Sequence, residues 1–432
     1  MARDDPGVGG EPSVNGAATP EPRRGAGLLV FFLFLAYLLA YYDRLITVVL
    51  SETIKSEFAL SDKAVSLING GSFVAIYGVG GVLSGWLIDR YSRKHLLAAS
   101  LVLWSATTVL CGFATSFVQL ALARAGVGVG ESAIVPLALS TISDATPKAR
   151  RPMAMAIFYS GGMVGLFISF VAGSWIGATY GWRMAFYVAG PPGILLALLV
   201  LVFAREPERE PPPEPAPGEA RAAGSWSLIT GNRPLIWLLL GGALATFGNM
   251  GMMQWLPLFF IRSHGLSLAE VGLYFGPAMA GGMAAGMLLG GWIGNRVAQR
   301  NLSDLIRFSA LILILVIPLY LTVLTVPSMP VALGTTFVAT ALSVLYSPSY
   351  TAAMQTVCDP RVRGITAGVS NLANSIIGGA VLTFMIGVAS DLLVPSLGEE
   401  SLRYALSGGL AICAVAALCF IRSVQHLPAP IR

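Results

Sequence analysis

Long apolar runs joined by short polar stretches make up nearly the whole chain. The runs fall at about 27–50, 64–88, 96–114, 118–142, 153–178, 184–204, 234–261, 269–294, 305–325, 331–355, 365–390 and 402–421. A helix needs about 20 apolar residues to cross the hydrocarbon core of a bilayer. None of the runs alternates apolar and polar residues as a half-buried strand does. In lipid, only helices and closed barrels satisfy their own backbone polar groups. The pattern therefore predicts an all-α membrane protein with twelve transmembrane helices. Residues 1–25 are polar and rich in Pro and Gly, and read as a disordered tail. No cleavable signal is expected there, because the run that follows is too long and is charged near its far end.

The polar joins set the orientation. Arg90, Arg93, Lys94, Lys148, Arg150, Arg151, Arg296, Arg300, Arg361 and Arg363 all fall on the side of the termini. Only Lys55, Lys63, Arg183, Arg262 and Arg403 fall opposite. Positive charge collects on the cytoplasmic side, so both termini are expected there. One internal polar stretch is long. Residues 205–231 are rich in Pro and Glu and read as an extended, solvated linker. It divides the chain into six-helix bundles at 26–204 and 232–423, with a short cytoplasmic tail at 424–432. A shift of 206 residues lays Leu60–Arg90 on Leu266–Arg296 without a gap, matching Ser61/Ser267, Gly70/Gly276, Gly80/Gly286, Gly85/Gly291, Trp86/Trp292 and Arg90/Arg296. The halves are expected to be a duplication.

Composition agrees with a polytopic membrane protein and narrows the chemistry. Only 11% of the 432 residues are charged, against about 25% in a soluble domain. The net charge is +5 and the mean hydropathy +0.73. Cys111, Cys358, Cys413 and Cys419 show no metal-ligand spacing, and the three histidines are scattered. Gly126-Val-Gly-Val-Gly130 lies inside an apolar helix with no strand before it, so it is not a dinucleotide loop. No nucleophile-base pair falls within the spans. No catalytic residue, metal, cofactor or nucleic acid is expected, and a monomer is.

Four ionisable residues break the apolar pattern: Asp43 and Arg44 in the first span, Arg124 and Glu131 in the fourth. Each costs about 2.5–3.5 kcal/mol at a helix centre, so such residues mark a pathway or a partner. Arg124 and Glu131 are seven residues apart, on one helix face and roughly 10 Å apart along the axis. Gly126, Gly128 and Gly130 between them would admit a neighbouring helix, and the first span is the expected neighbour. Asp43 and Arg44 point about 100° apart, so one is expected to meet the fourth span and the other the cavity. Burial and Arg124 pull the proton affinity of Glu131 in opposite directions, which makes it the best proton carrier. Its protonation is expected to free an arginine for an anionic substrate. The bland alternative is a fixed ion-pair network that only joins two helices.

Two parallel six-helix repeats resemble the major facilitator superfamily, whose substrate site lies between the halves. Gly85-Trp-Leu-Ile-Asp89-Arg90-Tyr-Ser-Arg93-Lys94 resembles its loop signature, with Ser92 where Gly is usual, and the second copy has Asn295 in place of Asp89. Gly181-Trp-Arg-Met-Ala-Phe186 is a further likeness. Tyr42-Asp43-Arg44 and Arg124-Ala-Gly-Val-Gly-Val-Gly-Glu131, followed by Ser140-Thr-Ile-Ser-Asp144, resemble the Spinster family over the first six spans. The resemblance implies proton coupling at Asp43, Arg124 and Glu131. It also implies a sphingosine-1-phosphate or lysophospholipid substrate, moved by secondary active transport across the plasma or inner membrane. The headgroup is expected at Arg44 or Arg124. Asp89, Arg90, Arg93, Lys94 and Asp144 are expected to form a cytoplasmic gate, with Asp89 near the positive end of the eleventh helix and Arg93 meeting Asp144.

The second half offers no mid-membrane charge. Its candidate cavity residues are Phe247, Asn249, Met250, Met253, Gln254, Trp255, Phe275, Tyr346, Tyr350, Asn371 and Asn374, joined by Tyr42 and Tyr159 from the first half. A wall charged on one side and apolar with Met on the other suits an amphipathic molecule. Packing is the competing reading of such a run. A proton-driven multidrug exporter or an organic-anion transporter of the same fold is the rival function. Exporters usually carry Gly-Pro in the fifth span, whereas Tyr159-Ser-Gly-Gly-Met-Val-Gly165 has no Pro.

Overall fold

The computed structural model describes residues 26–71, 76, 77, 80, 84, 87, 88, 90–147, 150–206, 225–298 and 301–427. Among them, ten helical stretches are long and apolar enough to cross a membrane. Nine correspond one to one with expected runs. The tenth, Arg363–Gln425, is 63 residues long and takes in the last two runs. The run at 64–88 is described only in part.

Local sequence explains where helices start and break. Ser92, Ser116, Asn232 and Asn301 each accept a hydrogen bond from the amide three residues on, satisfying donors that the first helical turn leaves free. Gly181 takes φ +87°, a conformation L side chains rarely adopt, so the Gly-Trp-Arg sequence marks a turn into the helix Trp182–Phe203. The fourth span is broken in two. Phe117–Glu131 ends, and Ile134–Ala145 follows after a short turn. Pro136 has no amide hydrogen, and its ring crowds the carbonyl of Ser132, so the break falls directly after Glu131.

Two backbone features recur after the 206-residue shift. Ser61 and Ser267, 206 residues apart, cap their helices in the same way, accepting from Ala64 N and Glu270 N. A π-helical turn at Ser169–Gly173 lands, after the same shift, inside the π-helical Asn374–Val381.

The buried apolar residues form one cluster within 29–204, a second within 229–420, and a third that joins them. That third cluster packs Leu45, Val48, Val65, Leu166 and Phe170 against Trp255, Phe259, Phe260 and Phe275. Within each half, glycines allow close helix approach. A Cβ on Gly165 would lie 2.2 Å from the Leu38 carbonyl oxygen, and one on Gly286 would lie 2.0 Å from that of Ala341. Gly165→Val is expected to cost about 1–3 kcal/mol by overpacking. A lower melting temperature than that of Gly291→Ala, where a Cβ meets nothing within 4 Å, checks this. Equal melting temperatures would contradict it.

Candidate functional site

The four in-span charges assemble in one buried group. Arg44 donates from Nη2 to Glu131 Oε2 at 2.8 Å. Arg124 donates from Nη1 to the main-chain carbonyl of Asp43 at 3.1 Å. The Asp43 carboxylate turns to the third span, where Thr108 Oγ1 donates to it at 3.1 Å. Asp43, Arg124 and Glu131 are all at most 1% exposed. Two acids and two arginines balance, so the group carries no net charge when all are ionised. Long arginines from facing helices cover the rise between Arg124 and Glu131, which lets two consecutive residues of the first span serve both. One oxygen of each carboxylate, Asp43 Oδ1 and Glu131 Oε1, is buried without a hydrogen-bond partner.

Of the two orientations open to the first span, the structure has Arg44 meeting the fourth span at Glu131 and Asp43 turned to the third. Arg124 has no exposed surface, so of the two expected headgroup arginines only Arg44, with 19% of its side chain open, reaches free space. Arg44 also lies over two aromatic rings, 5.2 Å from the Tyr41 centroid and 4.9 Å from that of Tyr77. The glycines of the fourth span face the third span rather than the first: a Cβ on Gly126 would meet Thr107, and one on Gly130 would meet Trp104. The first span instead packs on Gly161 and Gly165 of the fifth.

The second half differs from expectation as well. Phe247, Met253, Trp255 and Phe275 are buried in the apolar seam, where helical spacing serves packing rather than a cavity. Tyr350 is buried too, bonded to Ser370 and stacked on Phe420. Gln254 faces Gly70 across the seam, Tyr42 is buried, and Tyr159 packs on Tyr37 and Phe158. Asn249, Met250, Tyr346, Asn371 and Asn374 do line a cavity of about 200 Å³, with Thr246, Ser343, Val344, Ser347 and Ser375. Amide and hydroxyl side chains share its wall with Met250, Val344 and Tyr346, so it is more polar than the Met and aromatic run suggests.

At one end of the bundle the halves are bolted together by Arg262, a topology-marking arginine, and by the acids Glu52, Asp62 and Asp391, which no sequence motif singles out. Arg262 donates to both oxygens of Asp62 at 2.9 Å and to Glu52 at 2.8 and 3.0 Å. Asp391 receives the amides of Asp62 and Lys63 at 2.8 and 2.9 Å, and Ser390 donates to Asp62 at 2.7 Å. A Cβ on Gly387 would lie 2.8 Å from the Asp62 carbonyl, so the eleventh-span helix lies directly against the start of the second. Burial works to raise the Asp62 carboxyl, but the Arg262 guanidinium, with Lys55 and Ser390, holds it down at about 2. One sequence signal marked this place. The repeat puts Leu268 where the first copy has Asp62.

At the opposite end, Arg93 pairs with Asp144, and Glu206 accepts from Ser92 and from the amide of Arg93. Arg93 and Asp144 both lie in the first half and Glu206 at the start of the linker, so these contacts do not tie the halves. Arg90 is exposed and Lys94 half-buried, while Asp89 lies outside the described residues.

Residues 33–383 match the Major Facilitator Superfamily family model. The chain belongs to the major facilitator superfamily. It is a multi-pass membrane transporter, not an enzyme. An MFS-type efflux pump of Mycolicibacterium smegmatis is 30% identical over 89% of each chain. The sphingosine-1-phosphate transporter SPNS2 of Danio rerio is 27% identical over 56% of this chain and 48% of its own length. The fold superposes with a TM-score of 0.85, at 24% identity, on a bacterial homologue of the human lysosomal transporter Spinster, solved inward-facing and unoccupied. That alignment covers 93% of this chain and 98% of the other. The Spinster likeness read from the motifs is thus met by relatives bearing that name.

Proposed function

We propose that the protein is a proton-coupled secondary transporter moving an anionic amphipath of lysolipid or sphingolipid type by alternating access. The Arg44–Glu131 pair carries the reading: a carboxylate with no exposed surface, neutralised by an arginine that keeps an open edge. Protonating Glu131 removes one negative charge from a balanced quartet and leaves Arg44 available to an anion. Proton and anion then favour each other's binding, as linkage requires. Tyr41 and Tyr77 keep the guanidinium in place through their ring faces when the carboxylate lets go. Asp43 and Arg124 hold the first, third and fourth spans together around the switch.

In this reading the chain has twelve spans in two bundles, 26–204 and 232–423, with the linker 205–231 and both termini cytoplasmic, in the plasma or inner membrane. The Arg262 clamp then closes the extracellular side, and the conformation is inward-facing. Asp89, Arg90, Arg93, Lys94 and Asp144 act at the cytoplasmic gate. The Danio rerio relative, named for sphingosine-1-phosphate, supports the lipid cargo. The amide and hydroxyl wall of the second-half cavity and the efflux-pump relative favour a second reading, a smaller organic anion or drug as cargo.

Uptake into proteoliposomes under an imposed proton gradient separates them. Lysophosphatidate and sphingosine-1-phosphate are expected to follow the gradient while cationic dyes do not. The reverse ranking would overturn the proposal.

A further inference from the structure

The second-half cavity supports a statement about the cargo that the charged quartet does not. Its polar groups come from three helices: Asn249 and Thr246 from the seventh span, Ser343 and Ser347 from the tenth, Asn371 and Asn374 from the eleventh. Among the described residues, no charged side chain lines it. Asn249 Nδ2 donates to Ser343 Oγ at 3.3 Å, which fixes one amide and leaves its carbonyl oxygen available to a ligand. Asn374 Oδ1 has no hydrogen-bond partner and almost no surface open to the cavity, so its amide turns to meet a ligand there. A buried polar atom left unpaired is costly, and such atoms mark a place where a ligand can supply the missing bond. Asn249 and Asn374 both sit on π-helical turns, Phe247–Gly251 and Asn374–Val381. Such turns interrupt regular helix at a cost and are frequent at functional sites. The volume of about 200 Å³ admits a group of several heavy atoms, since a water's share of liquid is about 30 Å³.

We infer that this cavity is a neutral hydrogen-bonding subsite: the cargo carries, besides its anion, a hydroxyl- or carbonyl-bearing part that docks on Asn249, Asn371 and Asn374. The inference rests on the proposed anionic cargo and divides its recognition between the halves. Arg44 takes the charge, and the second half reads the uncharged polar groups next to it. A cargo with an anion and a bare alkyl chain leaves the amides unpaired and is discriminated against.

Two matched pairs of probes test this on the purified full chain, with affinity read from the ligand-dependent melting temperature. One pair is 1-oleoyl lysophosphatidate and oleyl phosphate; the other is gluconate and hexanoate. Each pair shares its anionic group and differs mainly in hydroxyl and carbonyl content. The hydroxylated member is expected to bind about tenfold more tightly in the pair that binds, since each net hydrogen bond contributes about 1 kcal/mol. Asn374→Leu and Asn371→Leu, made separately, are expected to erase that preference while keeping the weaker partner's affinity. Asn371 is exposed, so its substitution leaves the fold intact. Equal binding within both pairs, a preference that survives both substitutions, or no binding by any probe overturns the inference. Arg44→Gln is expected to weaken both members of a pair alike. A preference that persists with Arg44→Gln at wild-type affinity keeps the subsite and discards the anion reading.

Discussion

Glu131→Gln is expected to leave a carrier that equilibrates its cargo but no longer concentrates it. One proton carried with one monoanion is electroneutral, so the pH difference alone drives accumulation. A gradient of one pH unit is worth about 1.4 kcal/mol, or about tenfold. Wild-type proteoliposomes are expected to approach that ratio, and the Gln variant to stay near one. Gln has the shape of the protonated acid and no charge. It therefore mimics the proton-loaded state and is expected to bind the anion without pH dependence. Initial rates of exchange with no gradient separate loss of coupling from loss of folding. Full gradient-driven accumulation by the variant would remove Glu131 from the mechanism.

The second large effect is expected at the opposite site, where Arg262 joins the halves. Arg262→Gln leaves Glu52 without its cation and Asp62 with Lys55 and Ser390 alone. Breaking a buried ion pair costs about 3–5 kcal/mol; partial exposure here reduces that, and about 2 kcal/mol, roughly thirtyfold, is expected. The closed state at this end should lose that much population to the open one. Spin labels on Ser56→Cys and Ser396→Cys, both exposed and on different halves, would report a longer distance in the variant. An unchanged distance distribution would mean that the clamp does not hold this end. Acid is not expected to act through Asp62. Its carboxyl is held below the ordinary value, so its contribution is complete above about pH 4 and is lost only as pH falls toward about 2. A pH response of transport between about pH 5 and 8 therefore belongs elsewhere, and the buried quartet is the site proposed for it.

The spans were legible because membrane helices announce themselves by length and composition, and the four in-span charges because lipid makes them conspicuous. Their pairing was not legible. Periodicity places Arg124 and Glu131 on one face of their own helix but says nothing of the rotation of the first span, so whether Asp43 or Arg44 meets the fourth span stays open until the helices are assembled. The clamp was hidden by distance, since Asp62 lies 200 residues from Arg262 and 329 from Asp391. Asn249, Asn371 and Asn374 were singled out, yet Ser343, Ser347 and Thr246 read as background within apolar runs. Only the assembled helices gather them into a polar wall. Phe247, Trp255 and Phe275 mislead for the converse reason. Large apolar residues are drawn into seams between helices as readily as into cavities.

In the proposed cycle a proton on Glu131 breaks its contact with Arg44 and makes room for the cargo's anion. Infrared difference spectra of the reconstituted protein, recorded as pH is stepped across neutrality with and without cargo, address that proton directly. A protonated-carboxyl band is expected that grows as pH falls, grows further when cargo is added, and is missing in Glu131→Gln. A wild-type spectrum without such a band, or one that Glu131→Gln leaves unchanged, would contradict it.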